Sequence, residues 1–595
     1  MGIWAAKFIA YVHIYARCLR EGRFVTLKSY ESLEDFIDDP ETVDFLVRRS
    51  EYFEAFVHAN PNVLLSQTLA GRYAVGYADR ENYALVREGL GSSVASSTSI
   101  PLGLLDATNL EAAGILPIHE PNFLNLTGKG VLIGIVDTGI DYTLDVFKHP
   151  DGSSKIQYIF DQTTRVGNPP PGFYIGTEYT NAQINAAISG SNPFDIVPEQ
   201  DTVGHGTFLA SVAAGSRTGN FLGAAPDAEL IVVKLKGARA YTRERFLLPP
   251  DQENAFEASA VMLGIEYVLI KARELGLPVA ICLGIGTSFG THDGYSIFEE
   301  YLTDVSSLRG VCICTAAGNE AQEQHHTQGR IEQTGATSDI DLKVGENSGS
   351  FCFIITNGIA DRISISIRSP AGEFISRIPA RGDIEFVNKS LLEKTIITVN
   401  YFFPFEGSGG QLTFIRIIDP TPGVWTITLY GDIVLDGTYH SWLPITGFVH
   451  PDIEFLAPSP YYTVVIPSTM PASLTCGAYN TANNSLYLNS SWGPSRTMLV
   501  TPDLVAPGVN VGGYYPAGYG AMTGTSVSSA IVAGASALLL QWGIIEGNDP
   551  AMSTYQIKAY LVRGCTRSGA ISYPNNQWGY GRLNLLRTFT LLRNV

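Results

Sequence analysis

A chain of 595 residues is long enough for several domains of about 150 residues, or for one large domain carrying insertions. Its 57 acidic and 39 basic side chains leave a net charge of −18, and no Lys/Arg-rich run interrupts that balance, so the footprint of a nucleic-acid binder is missing. Charged residues are only 16% against about a quarter in an average chain, and 45% are hydrophobic, which excludes a disordered polyelectrolyte and describes a loop-rich globular protein.

The first twenty residues, MGIWAAKFIAYVHIYARCLR, are broken by Lys7, His13 and Arg17. They lack a basic region ahead of a clean apolar stretch and make a poor signal peptide. No window reaches the ~18 uninterrupted apolar residues of a membrane span, so none is expected. An acidic helix is predicted around 32–49. The run from Gly89 to Pro101 is small, hydroxylated and uncharged, the composition of an extended or protease-accessible linker.

From about residue 102, apolar runs at Val131–Val136, Leu230–Val233, Val279–Leu283 and Val311–Cys314 alternate with helical stretches such as Asn254–Leu275. That alternation is the α/β signature of a buried parallel sheet. Between about 325 and 470 the style changes to short alternating segments, among them Arg362–Ile367, Gln411–Ile418 and Val424–Tyr430, separated by turn residues. Such spacing predicts a β-sandwich inserted into the α/β unit, which resumes near Thr475. The seven cysteines are odd in number and form no CxxC; Cys282, Cys312 and Cys314 lie in apolar runs and read as buried free thiols.

Three blocks carry chemistry. Val131-Leu-Ile-Gly-Ile-Val-Asp137-Thr-Gly ends a buried strand on a carboxylate at the edge where α/β sites form. Gly204-His205-Gly-Thr-Phe-Leu-Ala-Ser-Val-Ala-Ala opens a small-residue helix on a histidine, and Gly524-Thr-Ser526-Val-Ser-Ser-Ala opens another on a serine. Together they supply a nucleophile, a base and an orienting acid for acyl transfer. The helix N-terminus at Ser526 offers a backbone donor for an oxyanion, and Thr315-Ala-Ala-Gly318-Asn319, after another buried strand, offers a second.

The order Asp, His, Asn, Ser in these contexts resembles the subtilisin-like serine proteases, or subtilases. Leu504-Val-Ala-Pro-Gly508, Ser491-Trp-Gly-Pro494, Ala224-Ala-Pro-Asp-Ala-Glu-Leu230 and Gly579-Tyr-Gly-Arg-Leu-Asn584 extend the resemblance over about 105–320 and 475–590. It implies an α/β, subtilisin-like parallel-sheet protease domain with an N-terminal α+β prodomain and an inserted jelly-roll. The implied division is 1–95 for the prodomain, 96–324 and 471–595 for the two parts of the subtilase domain, and 325–470 for the insert. By the same resemblance Ser526 is the nucleophile, His205 the general base, Asp137 its orienting acid and Asn319 the oxyanion donor. Leu235, Lys236 and Gly237 on one side, and Gly284, Ile285 and Gly286 on the other, are to flank an extended substrate. The family's Ser-Leu-Gly is here Gly284-Ile-Gly286, and its common calcium-ligating Asp is out of register at Leu144-Asp-Val-Phe147, so no metal and no cofactor are expected.

The loop between Asp137 and His205 and the large insert resemble the Csp-type proteases of clostridia. This implies self-processing at the prodomain, which stays bound non-covalently, and one specific protein substrate, a spore-germination pro-enzyme. It places the protein in the cytoplasm or a spore compartment, with secretion left open. The alternatives are a broad degradative subtilase or a scaffolding pseudoprotease.

Blander readings stand for the remaining candidates. His325-His326 reads as a solvated loop, because adjacent residues point apart. Asp35, Asp38, Asp39, Glu253 and Glu257 read as solvated faces or caps. Gly284-Ile-Gly286 lacks the third glycine of a dinucleotide site. Trp425 and Trp442 read as core residues rather than sugar platforms, and Ala533–Trp542 as a buried helix too short for a membrane.

Overall fold

The computed structural model describes residues 33–593, apart from 61–62, 91–93, 105–110, 121–123, 383, 391–392 and 406. Expectations for the first 32 residues, Cys18 included, lie outside the described residues. The predicted acidic helix is only α1 (Leu33–Asp38). Pro40 disfavours helical backbone at the residue before it, and Thr42-Val-Asp-Phe-Leu-Val-Arg48, rich in β-branched and aromatic side chains, follows as strand β1. With β2 (Val63–Leu65) and β3 (Tyr73–Asp79) it forms an antiparallel sheet in the order β1-β3-β2. Helices α2 (Glu51–Ala59) and α3 (Arg80–Leu90) complete this N-terminal unit.

The uncharged stretch after α3 is not an exposed linker. Ser96, Ser97, Thr98 and Ser99 are buried. Thr98 Oγ1 donates to the Val94 carbonyl (2.9 Å), and Ser99 Oγ accepts from the Ser259 N–H (3.0 Å). The chain then runs into strand β4 (Pro101–Leu104).

The next strands are β5 (Leu132–Asp137), β6 (Ile156–Asp161), β7 (Thr177–Thr180), β8 (Glu229–Lys234), β9 (Phe256–Glu257), β10 (Val279–Leu283), β11 (Ile285–Gly286) and β12 (Val311–Ala316). The central sheet places Leu474–Asn480, β12, β10, β5, β8, β6 and β7 side by side, parallel except at β7. Every residue of β5, β10 and β12 is buried, as a parallel strand covered on both faces requires. Ile133 and Ile135 point toward helices α4 (His205–Ala214) and, after helix α5 (Ala258–Leu275), α6 (Thr525–Leu540). Leu132 and Val136 point the other way, into the cluster built with α5. At Gly134 a Cβ would lie 2.7 Å from Val268 of α5, so the glycine lets that helix settle on the sheet.

Helix α6 runs on through one wide turn to Ile545, a rod of 21 residues rather than the ten-residue run read from the sequence. It is long and apolar enough to cross a membrane, yet 83% of its most apolar window is buried inside this fold. Its small residues permit that: a Cβ on Gly534 would stand 2.9 Å from the Ala213 carbonyl of α4.

Two antiparallel sheets lie between β12 and Leu474–Asn480 and share a core. Alternate residues Ile363, Ile365, Ile367 and Trp425, Ile427, Leu429 point inward, the period-two pattern of a strand with one buried face. Trp442 is buried too, but against the peptidase body. The His325-His326 pair is not solvated. His325 Nδ1 lies 2.8 Å from Glu320 Oε2, and His326 packs against His440 and Trp442. The six described cysteines are free and buried.

Candidate active site

The three blocks meet at one end of the central sheet. Asp137 is the last residue of β5, His205 the first of α4, and Ser526 the second of α6. His205 Nδ1 is 2.7 Å from Asp137 Oδ1, and His205 Nε2 is 3.2 Å from Ser526 Oγ. An ionised carboxylate only accepts hydrogen bonds. It therefore accepts a hydrogen bond from Nδ1–H and leaves Nε2 as the acceptor for the serine hydroxyl. The Thr138 N–H also donates to Asp137 Oδ1 (2.8 Å), which fixes the carboxylate plane. Asp137, His205 and Ser526 are all buried. Beneath the turn after Asp137 sits Glu199, unread in the sequence. It accepts from the Ile140 N–H (3.2 Å), and burial pushes its carboxyl well above the usual range.

Asn319 follows β12 and its Oδ1 accepts from the Thr525 N–H (3.0 Å). With that oxygen engaged, the two Nδ2 hydrogens remain as donors beside Ser526. His205 and Asn319 share a cleft of about 370 Å³ with Val203, Glu320, Thr446 and Tyr515.

An extended strand of this chain, β4, pairs with β11, whose residues were expected to flank a substrate. β4 is the middle of a three-stranded antiparallel sheet, with Gly103 opposite Gly286 and Leu104 opposite Ile285 of β11. Its other neighbour is β9, with Pro101 opposite Glu257 and Leu102 opposite Phe256. Leu235, Lys236 and Gly237 do not pair with β4; Gly237 bridges to Phe256 from the far side of β9. The chain makes an excursion through 238–255 and returns antiparallel. The residues just ahead of α5, rather than those just after β8, then pair with β4. Position Gly284 abuts the reacting groups: a Cβ there would lie 3.0 Å from Ser526 Cβ and 3.2 Å from His205 Cε1.

Lys236 serves elsewhere. Its Nζ is 2.7 Å from Oδ2 of Asp44 in β1, while the Arg239 guanidinium holds Oδ1 and Ser259 Oγ donates at 3.0 Å. Asp44 is fully buried; burial pushes its carboxyl up, but Arg239 and Lys236 outweigh that and hold it below the usual range. Glu257 next to them, expected on a solvated face or at a cap, holds the N-cap position of α5 but is buried and accepts from Thr242 Oγ1. Burial and then the Asp44 charge push it up to about 7. Asp35 and Asp38, by contrast, pair with Arg165 on the exposed surface.

An acid, a histidine and a serine held at the ends of parallel-sheet elements define a serine hydrolase fold of the subtilisin type, and comparison with known proteins agrees. The Subtilase family model matches residues 128–341 and 458–581, together more than half of the chain, and leaves out most of the two inserted sheets. The chain belongs to the subtilase family and is a subtilisin-like serine peptidase. It is similar to the structure of the Clostridium perfringens CspB protease, at 32% identity and a TM-score of 0.72 over 81% of this chain and 97% of that one. It is also similar to the minor extracellular protease Vpr of Bacillus subtilis, 23% identical over 78% of this chain, and to the PII-type proteinase of Lacticaseibacillus paracasei, 23% identical over 72%. The chain spans 52% of the first of these relatives and 23% of the second.

Proposed function

We propose that Ser526 Oγ attacks the scissile carbonyl as Nε2 of His205 takes its proton, with Asp137 stabilising the imidazolium that results. The Ser526 N–H and the Asn319 amide receive the oxyanion, and His205 returns the proton to the leaving amine. The observation carrying this reading is the 2.7 and 3.2 Å pair of contacts on opposite nitrogens of His205.

The first substrate is the chain itself. β4 lies between β9 and β11 as an extended peptide would, and its register runs toward Gly284 beside Ser526. The bond proposed for cleavage is therefore Leu105–Asp106, later in sequence than the Gly89–Pro101 run. Residues ahead of it act as a prodomain, and the buried Asp44, Lys236 and Arg239 cluster retains it non-covalently after the cut. Intact mass should show wild-type protein as fragments 1–105 and 106–595 and Ser526→Ala as one chain. A wild type as whole as the variant would overturn the reading.

The insert, read as a jelly-roll, lends Thr446 to the wall of the cleft, and a cleft narrowed in this way favours one specific protein substrate over bulk degradation. Casein is then a poor substrate. From the resemblance to the Csp-type proteases we assign a spore-germination pro-enzyme as that substrate and the cytoplasm or a spore compartment as the location.

A further inference from the structure

We infer that the inserted β unit selects the substrate: Ile445 and Phe448 roof the cleft over position 103 and admit glycine there. The peptidase would then act on extended segments with a glycine third from the cut, preceded by an aliphatic residue. This rests on the reading that β4 occupies the cleft as a substrate does.

Gly103 sits in regular antiparallel pairing with Gly286, and its φ is not in the left-handed region that calls for glycine. Space disfavours larger residues. A Cβ at 103 would lie 2.8 Å from Ile445 Cδ1 and 3.3 Å from the Phe448 ring. The residue before it, Leu102, is buried in the cluster shared with Phe256, Ile285 and Ile466, so an aliphatic side chain has a slot there.

The roof is held in place. Both the N–H and Oγ1 of Thr446 donate to the buried Glu320 carboxylate, at 3.2 and 3.3 Å, one residue from Asn319. The turn closes with the Phe448 N–H on the Ile445 carbonyl (2.9 Å) and Gly447 at φ 86°. Gln252 of the peptidase body donates to the Gly447 carbonyl at 3.2 Å. Phe448 and Ile445 share an apolar cluster with Phe246, Leu248 and Val465. The roof cannot lift without breaking these contacts, although the tip of Ile445 can turn.

The test follows self-processing of the full chain over time by intact mass, in wild type, Gly103→Ala, Gly103→Val, Ile445→Ala and the double variant Gly103→Val/Ile445→Ala. Gly103→Val should slow processing by roughly ten-fold or more and Gly103→Ala by only about two- to five-fold, as expected for overfilling a packed slot. The double variant should return to within about three-fold of Ile445→Ala, since the room has been restored. That rescue also shows that the fold accepts Val at 103 once Ile445 is cut back, and co-elution of Gly103→Val with wild type on a sizing column checks the single variant's fold. Equal rates for wild type and Gly103→Val would overturn the inference while leaving the peptidase reading intact. So would a double variant as slow as Gly103→Val beside a normal Ile445→Ala. A wild type that never processes, like Ser526→Ala, overturns both.

Discussion

The peptidase body meets the N-terminal unit and the inserted sheets through two junctions that bury ionisable groups in opposite ways. At the first, Asp44 keeps its charge in the interior because Lys236 and Arg239 face it. At the second, three histidines are buried as neutral rings. His292 stacks on Trp442 at 4.1 Å, and His326 Nε2 lies 3.2 Å from His440 Nδ1. Burial pushes these three down to about 4, about 3 and about 2, with the buried Arg496 adding to the effect at His292 and His440. Pairing and neutralisation both meet the cost of desolvation, but they respond differently to mutation and to pH.

The largest effect should come from Asp44→Ala, which leaves two buried cations without their partner. Breaking a buried pair in this way costs about 3–5 kcal/mol, and after processing the N-terminal fragment should separate on a sizing column where wild type co-elutes. Acidification should act next, and on the other junction. Each histidine has a folded value below its ordinary 6.5, so the unfolded state binds more protons and stability falls as pH drops below about 6.5. The slope is up to about 1.4 kcal/mol per pH unit for each histidine. His440→Phe should flatten it in thermal unfolding from pH 7 to 5.

Glu257 gives a smaller trend of reversed sign. Its folded value is raised to about 7, so the native state holds the extra proton and loses stability as pH rises from about 4.5 through 7. Glu257→Gln should remove that slope at the N-terminal junction and leave the histidine slope untouched. Smallest of all, Arg165→Ala breaks the exposed pairing with Asp35 and Asp38 and should shift stability by about 0–1 kcal/mol.

What was legible in the sequence had local causes. Asp137, His205, Asn319 and Ser526 sit in glycine-bounded blocks at strand or helix ends, and the structure brings all four together. The inserted sheets showed through their alternation, since Ile363, Ile365 and Ile367 must share a face in any strand. What was missed depended on tertiary contact. Nothing local shows that 238–255 loops out and that Phe256, rather than Lys236, returns beside β4. His326 looked solvated because its partners, His440 and Trp442, lie more than a hundred residues away. Glu257 does hold the N-cap position of α5, but its burial beside Asp44 was not visible locally, and the strand at Thr42–Arg48 was hidden by the acids around it.

The three-stranded sheet β9-β4-β11 has one further consequence, for kinetics. Its middle strand is the segment that leads to the proposed cut, while its outer strands belong to the enzyme. As long as the chain is whole, that strand is presented at the effective concentration of a tether and competing peptides are excluded by mass action. Severing one bond leaves every hydrogen bond of the sheet in place but turns a fold element into a ligand with a dissociation rate. Under the proposed self-cleavage, the waiting time before any second substrate enters would be set far from Ser526, by how long Asp44 stays with Lys236 and Arg239.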